Sequence, residues 1–282
     1  MQLTIPKALS QRLSRSPEGR AWLNGLPQAV EEVVGHWALT LGAPLTEHAT
    51  CSWVARCTTR EGDPAVLKLG MPHMEAAHEI DGLLFWSGTP TVHLLNHGRH
   101  HNALLLERCE PGRSLHSLPE EKQDVVVADL LRDLWRSPEA PPVFRPLSDM
   151  LRSWSIQARQ NALPDTDIGL LEESSRLFTE LTRTSSNTAL LATDLHAGNV
   201  LRAERRPWLV IDPKPFAGDP AYDATQHLLN AMERLTTRPH QTVERFADLL
   251  ELSSERIHLW LFARLAISTN RPLQNLAISF RH

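Results

Sequence analysis

The side chains able to do chemistry are concentrated in one stretch, Leu190–Asp223, which reads LLATDLHAGNVLRAERRPWLVIDPKPFAGDPAYD. It opens on an apolar run leading to Asp194-Leu-His196-Ala-Gly-Asn199, and Asp212 follows Trp208-Leu-Val-Ile211. Between them, Asn199-Val-Leu-Arg and Trp208-Leu-Val-Ile flank the polar Ala203–Pro207, the pattern of a hairpin or a pair of short strands. Such a fold-back brings Asp212 beside Asn199 across 212 − 199 = 13 positions. An Asp, an Asn five positions later and an Asp beyond a strand pair suit phosphoryl transfer. The first Asp (Asp194) accepts a hydroxyl proton, and Asn199 and Asp212 hold Mg2+ against the nucleotide phosphates. Hard oxygen ligands suit magnesium, and an incomplete protein cage leaves room for phosphate oxygens.

Each of these residues also has an ordinary reading. Asp194 and Asn199 could be turn residues, and Asp212-Pro213 could simply end a strand. Taken together, those readings require the right residues in the right order by accident.

The string TDLHAGNVLRAERRPWLVIDPKPFAGDPAYDATQHLLN resembles the core of the aminoglycoside phosphotransferases. It is most similar to the branch that holds streptomycin 6-kinases and hydroxyurea phosphotransferases, which share the protein-kinase fold. The resemblance is strong over Leu190–Asn230 and looser elsewhere. The usual pattern has His-Gly before the catalytic Asp, where this chain has Ala192-Thr193. That departure leaves the reacting groups intact.

The resemblance implies an α+β, protein-kinase-like fold of two lobes. Residues 1–108 form a small nucleotide-binding lobe with an antiparallel sheet, a helix and an N-terminal helical extension. Residues 109–282 form a larger, mainly helical catalytic and substrate-binding lobe. It also implies ATP as phosphate donor and a hydroxyl-bearing small molecule, streptomycin-like, as acceptor. A metabolic sugar or amino-sugar kinase would show the same core, and a nucleotide-binding protein without catalysis would normally lose Asp194.

The elements that must position these groups can be read along the chain. A length of 282 residues suits two lobes. Hydrophobic content of 41% supports a real core. A net charge of −4 without a basic stripe argues against a nucleic-acid binder. Cys51, Cys57 and Cys109 make no Cys-x-x-Cys pair, so neither a disulfide scaffold nor a cysteine zinc site is expected. No run approaches the ~18 apolar residues of a membrane helix, and the N-terminus lacks the apolar core of a signal peptide. A cytoplasmic protein with no obligatory protein partner is the expectation.

Pro6, Pro17 and Pro27 mark helix starts, and the spacing predicts a helix over Pro27–Leu41. Strands are predicted at Leu45–Ala49, Trp53–Thr58 and Ala65–Leu69. Alternation puts Val66 and Lys68 on one face and Leu67 on the other, as a cleft for a base and its phosphates requires. No glycine-rich phosphate loop precedes Lys68, so Thr50-Cys-Ser52 must serve. Ser52 reads either as a phosphate contact or as a plain turn serine. A helix is predicted over His73–Ser87, its apolar side formed by Ala76, Ala77, Ile80, Leu83 and Leu84. Glu75 and Glu79 share its other face, and the resemblance selects Glu79 as the partner of Lys68.

His93, His97, His100 and His101 suggest zinc, yet strand geometry puts His93 and His97 ~13 Å apart, so a solvated hairpin is the better account. Leu104–Cys109 followed by Glu110-Pro-Gly112 reads as the strand and linker between lobes. The kinase fold implies that the Glu107 carbonyl and the Cys109 amide meet the adenine edge.

Beyond the linker the pattern is helical. A capping box is expected at Ser117–Glu120, with helices at Ser148–Ala162, Asp167–Arg183, Ala224–Leu235, Thr242–Leu252 and Ser254–Asn270. The resemblance gives His196 a supporting role toward the metal-binding Asp. Asp223 either anchors the catalytic loop from behind or is a first-turn acid favoured by the helix dipole.

Overall fold

The computed structural model describes residues 3–45, 51–138 and 144–281, and its contacts divide the chain into two units, Met1–Gly112 and Arg113–His282. In the first unit, α1 (Lys7–Leu13) and α2 (Pro17–His36) precede three strands, β1 (Thr40–Pro44), β2 (Ser52–Thr58) and β3 (Pro64–Gly70). A helix, α3 (Glu79–Trp86), then leads to β4 (Leu94–Gly98) and β5 (Ala103–Glu107). The strands form one antiparallel sheet in the order β1-β2-β3-β5-β4.

Period-2 alternation sends Trp53, Ala55 and Cys57 of β2 and Ala65, Leu67 and Leu69 of β3 into a core with Leu9, Leu13, Leu26, Val30 and Val33 of the helices. Each fully buried large side chain contributes about 1.5–3 kcal/mol. The Trp53 indole satisfies its N–H on the Thr4 carbonyl, 3.0 Å away.

Several sequence expectations are corrected here. Ser16 caps α2 by accepting from the Gly19 amide, and Pro17 takes the first helical position, so Pro27 lies inside the helix instead of starting one. The helix ends at His36, and Thr40 and Leu41 belong to β1. The strand expected at Leu45–Ala49 falls outside the described residues from 46 onward. Helix α3 is shorter than the spacing suggested. Residues before it close i→i+3 bonds (Ala76 to His73, Ala77 to Met74, Glu79 to Ala76), which make turns in place of a helical ladder. Its buried side is Ile80, Leu83 and Trp86, while Leu84 is exposed.

The second unit opens on a short 3₁₀ turn, Leu115–Ser117, followed by α4 (Glu120–Leu134), α5 (Leu147–Gln160) and α6 (Ile168–Arg183). The capping box is not formed, because Ser117 Oγ donates back to the Ser114 carbonyl and Pro119 precedes α4 without a side-chain cap. Four short strands follow: β6 (Ala189–Leu191), β7 (Val200–Arg202), β8 (Trp208–Val210) and β9 (Phe216–Gly218). They pair as two antiparallel ribbons, β6 with β9 and β7 with β8. Then come α7 (Pro220–Asn230), α8 (Met232–Thr237), α9 (Pro239–Leu250), α10 (Ser254–Ala266) and α11 (Arg271–Ala277). The helix expected over Ala224–Leu235 is thus broken at Ala231 into α7 and α8.

Helix α10 is the core element of this unit. Its Ile257, Trp260, Leu261, Phe262 and Leu265 are buried, and it packs against α6, α7, α9 and α11. Asp219 caps α7 through the Ala221 amide and ties it to α10, its other oxygen accepting from Arg256 Nε at 2.5 Å and Trp260 Nε1 at 2.8 Å. Buried Asp124 of α4 adds a second tie, accepting from both terminal nitrogens of Arg234 and contacting the His227 imidazole. These donors hold its carboxyl well below the usual range against the cost of burial. Helix α7 is therefore fixed from two sides. Among the described residues, no helix is long and apolar enough to cross a membrane.

Candidate active site

In the first unit, the ammonium of Lys68 on β3 meets Glu79 Oε1 at 2.5 Å, both side chains being almost fully buried. Glu79 is the first residue of α3, so the helix start delivers the carboxylate to the strand. A desolvated pair of this kind is costly to break, because the surviving charge is left unmatched. Val66, on the same strand, is half-buried. Ser52 opens β2 opposite Gly70, and Thr50 of the expected phosphate turn lies outside the described residues. Glu107 ends β5; its amide donates to the His93 carbonyl and its Oε2 accepts from the His93 amide, both at 2.9 Å. Cys109 is half-buried, and its carbonyl lies 2.9 Å from where a Cβ on Gly112 would sit, so the left-handed turn there (φ +71°) requires glycine. Among the described residues, no three His, Cys, Asp or Glu side chains are grouped to hold a metal.

In the second unit, the fold-back read from the sequence is built by β7 and β8, and by the Ile211 amide donating to the Asn199 carbonyl at 2.9 Å. Asn199 Nδ2 donates to the Asp194 carbonyl at 3.0 Å, which turns the side-chain oxygen the other way. Asp194 Oδ1 accepts from Gln226 Nε2 at 2.8 Å. Asp212 is ion-paired with Lys214 and sits in the left-handed region at φ +52°.

The loop is strapped on every side. Lys214 donates its amide to the Ala192 carbonyl at 2.8 Å and accepts from Thr193 Oγ1 at 2.6 Å. Fully buried Asp223 accepts from the Ala192 amide at 2.9 Å, the Thr193 amide at 2.7 Å and the Trp135 indole at 3.1 Å. Burial pushes its carboxyl up to about 6, although the three donors pull it down. Ser114 Oγ donates to the Ala197 carbonyl at 3.0 Å from the opposite side. His196 Nδ1 accepts from the Gly198 amide at 3.0 Å, so this ring caps the 3₁₀ turn Ala197–Asn199. A Cβ on Gly198 would lie 2.7 Å from the ring, so a larger residue there would displace it. Thr193, at φ +48°, occupies the position where the resembled pattern carries glycine.

Sequence reasoning did not single out Gln226, Lys214, Trp135 or Arg264. Lys214 lies two positions past Asp212, and that adjacency was the only local signal. Gln226 and Arg264 come from helices whose patterns look ordinary, and Trp135 directly follows one.

The donor set is a carboxylate, an amide oxygen and a second carboxylate already neutralised by an ammonium. Oxygen donors of this kind suit a hard divalent cation. A family profile described as "Aminoglycoside/hydroxyurea antibiotic resistance kinase" matches residues 36–275.

The chain belongs to that family.

Members of this kinase family act as phosphotransferases on hydroxyl groups of small molecules, with a nucleotide as co-substrate. The chain is 35% identical over 277 residues to a streptomycin 6-kinase of Streptomyces griseus, covering 94% of this chain and 89% of the relative. It is 35% identical over 257 residues to a hydroxyurea phosphotransferase of Kitasatospora aureofaciens, covering 88% of this chain and 73% of the relative. The fold matches the crystal structure of the choline kinase LicA from Streptococcus pneumoniae at TM-score 0.64 and 14% identity, over 90% of this chain and 91% of that one. The α+β kinase-like architecture expected from the sequence is therefore the one observed.

Proposed function

We propose that this resistance-kinase family member transfers the terminal phosphate of ATP to a hydroxyl of a streptomycin-type aminoglycoside. The observation that carries the reading is the Asp194–Asn199–Asp212 assembly, closed by the Ile211-to-Asn199 hydrogen bond, in a chain 35% identical to a streptomycin 6-kinase along nearly its whole length.

Residues 1–108 take the nucleotide and residues 109–282 carry catalysis and the acceptor. Lys68, oriented by Glu79, binds the phosphates, with Ser52 beside them. Val66 packs on the base, and the Glu107 carbonyl and Cys109 amide meet the adenine edge. Asp194 orients the acceptor hydroxyl and takes its proton as the bond to phosphorus forms. Asn199 and Asp212 would hold Mg2+, which when bound neutralises charge on the phosphate oxygens. His196 and Asp223 keep the loop in shape for this work. Positioning and fixed charge supply most of the rate, since the reaction asks little covalent work of the protein.

Hydroxyurea is the second acceptor to consider, because the hydroxyurea phosphotransferase is also 35% identical, over 257 residues. Phosphate transfer from ATP to streptomycin, other aminoglycosides, hydroxyurea and simple sugars, with and without magnesium, decides among them. Turnover of streptomycin that requires magnesium, and that falls by about 10²–10⁴-fold in Asp194→Ala with ATP binding retained, is the expected result. Transfer to sugars alone would assign a metabolic kinase.

A further inference from the structure

Asp194 sits on a loop, yet one of its carboxylate oxygens is fixed from helix α7, 32 positions further along the chain. Gln226 on α7 donates Nε2–H to Asp194 Oδ1 at 2.8 Å, and its own Oε1 accepts from Arg264 Nη2 of α10 at 2.6 Å. Arg264 Nη1 donates to Thr225 Oγ1 at 2.6 Å, and its guanidinium carbon lies 4.9 Å from the Tyr222 ring centre and 5.7 Å from that of Trp154. The guanidinium is thus held by hydrogen bonds on both terminal nitrogens and by two aromatic faces.

The chemistry of the three groups sets the direction of this chain. A guanidinium only donates, a carboxylate only accepts, and an amide has one end of each kind. Arg264 must face the Gln226 oxygen, so the Gln226 nitrogen must face Asp194. A flipped amide would set oxygen against oxygen at Asp194 and donor against donor at Arg264.

We propose that Gln226 and Arg264 are positioning residues for the phosphotransfer, holding the Asp194 carboxylate in the rotamer that receives the acceptor proton.

The inference rests on Asp194 being the catalytic base, and its test separates the two. Initial rates and melting temperatures are measured for Asp194→Asn, Gln226→Leu, Arg264→Leu, Arg264→Lys and the double variant Gln226→Leu/Arg264→Leu, with rates normalised to folded protein. Gln226→Leu is expected to lose about 10–100-fold in kcat, as small misplacements of reacting groups do, with the nucleotide KM within about twofold. Arg264→Leu follows it, Arg264→Lys recovers part of the loss, and the double variant is no worse than Gln226→Leu, because both act through one route. Full kcat in Gln226→Leu while Asp194→Asn is inactive would overturn the positioning role and leave the base in place. Full activity in Asp194→Asn would overturn both. A loss that vanishes on normalisation to folded protein would show the contact to be purely structural.

Discussion

Asn199 donates its side-chain amide to the backbone carbonyl of Asp194, 3.0 Å away. One residue thereby shapes the loop and aims its remaining oxygen outward. Asn199→Ala removes both contributions, whereas Asn199→Asp keeps an oxygen but cannot donate to the carbonyl. Both variants are expected to lose about 10²-fold or more in kcat, the scale seen when one preorganised polar group is deleted from an active site. Nucleotide titrations should localise the defect. Binding in EDTA is unchanged, and only the gain on adding magnesium disappears.

The buried Lys68–Glu79 pair gives a prediction in which stability and activity part company. Glu79→Ala leaves an ammonium without its counter-charge and should cost about 3–5 kcal/mol, as should Lys68→Ala in reverse. The double replacement Lys68→Met/Glu79→Leu puts apolar groups of similar size in both places and should return the melting temperature close to that of the parent. That restored protein should still fail to bind ATP. Retained binding would remove Lys68 from the nucleotide site.

Asp223 carries a carboxyl raised by burial from 3.8 to about 6. Between pH 4 and 6 the native protein keeps a proton that the unfolded chain has released, so this group's contribution to stability declines as pH rises through that window. In Asp223→Asn the amide nitrogen must oppose one of the Ala192 or Thr193 amides, which lowers stability at every pH. The advantage of the parent over the variant should therefore shrink by up to about 3 kcal/mol from pH 4 to pH 7, at about 1.36 kcal/mol per pKa unit. Urea unfolding of both proteins across this range reads the difference, and a constant gap would refute the assignment.

Thr193 holds a backbone conformation that costs a side-chain-bearing residue about 1–2 kcal/mol, offset in part by its hydroxyl bond to the Lys214 carbonyl. Thr193→Gly relieves the strain and loses the bond, so its melting temperature should move little. Thr193→Val keeps the strain and loses the bond, and should be destabilised by about 1–3 kcal/mol. Thermal melts of the two side by side make the comparison, and a glycine variant as unstable as the valine one would show that the strain is absent.

The fold-back that brings Asp194, Asn199 and Asp212 together was legible, because its two short strands follow from alternation around a polar turn. The Lys68–Glu79 pair came from the resemblance, which chose Glu79 over Glu75 on the expected helix. The groups that hold these side chains were not legible. Gln226 is one polar residue on an ordinary helix, and nothing in the spacing of Arg264 on α10 says that it meets Gln226. Trp135 meets Asp223 across 88 positions, a distance no local pattern encodes. Helix limits failed where local hydrogen bonding competed with periodicity, as in the turns before Glu79 and at Ala231.

The Trp135 indole that donates to Asp223 brings an intrinsic fluorophore within one carboxylate of the backbone entering the catalytic loop. Its emission depends on how that carboxylate is charged and how firmly the indole is held. With the chain's other seven tryptophans replaced, Trp135 would offer an unlabelled optical gauge of loop order, by which acceptor and nucleotide could be watched arriving in a stopped-flow cell.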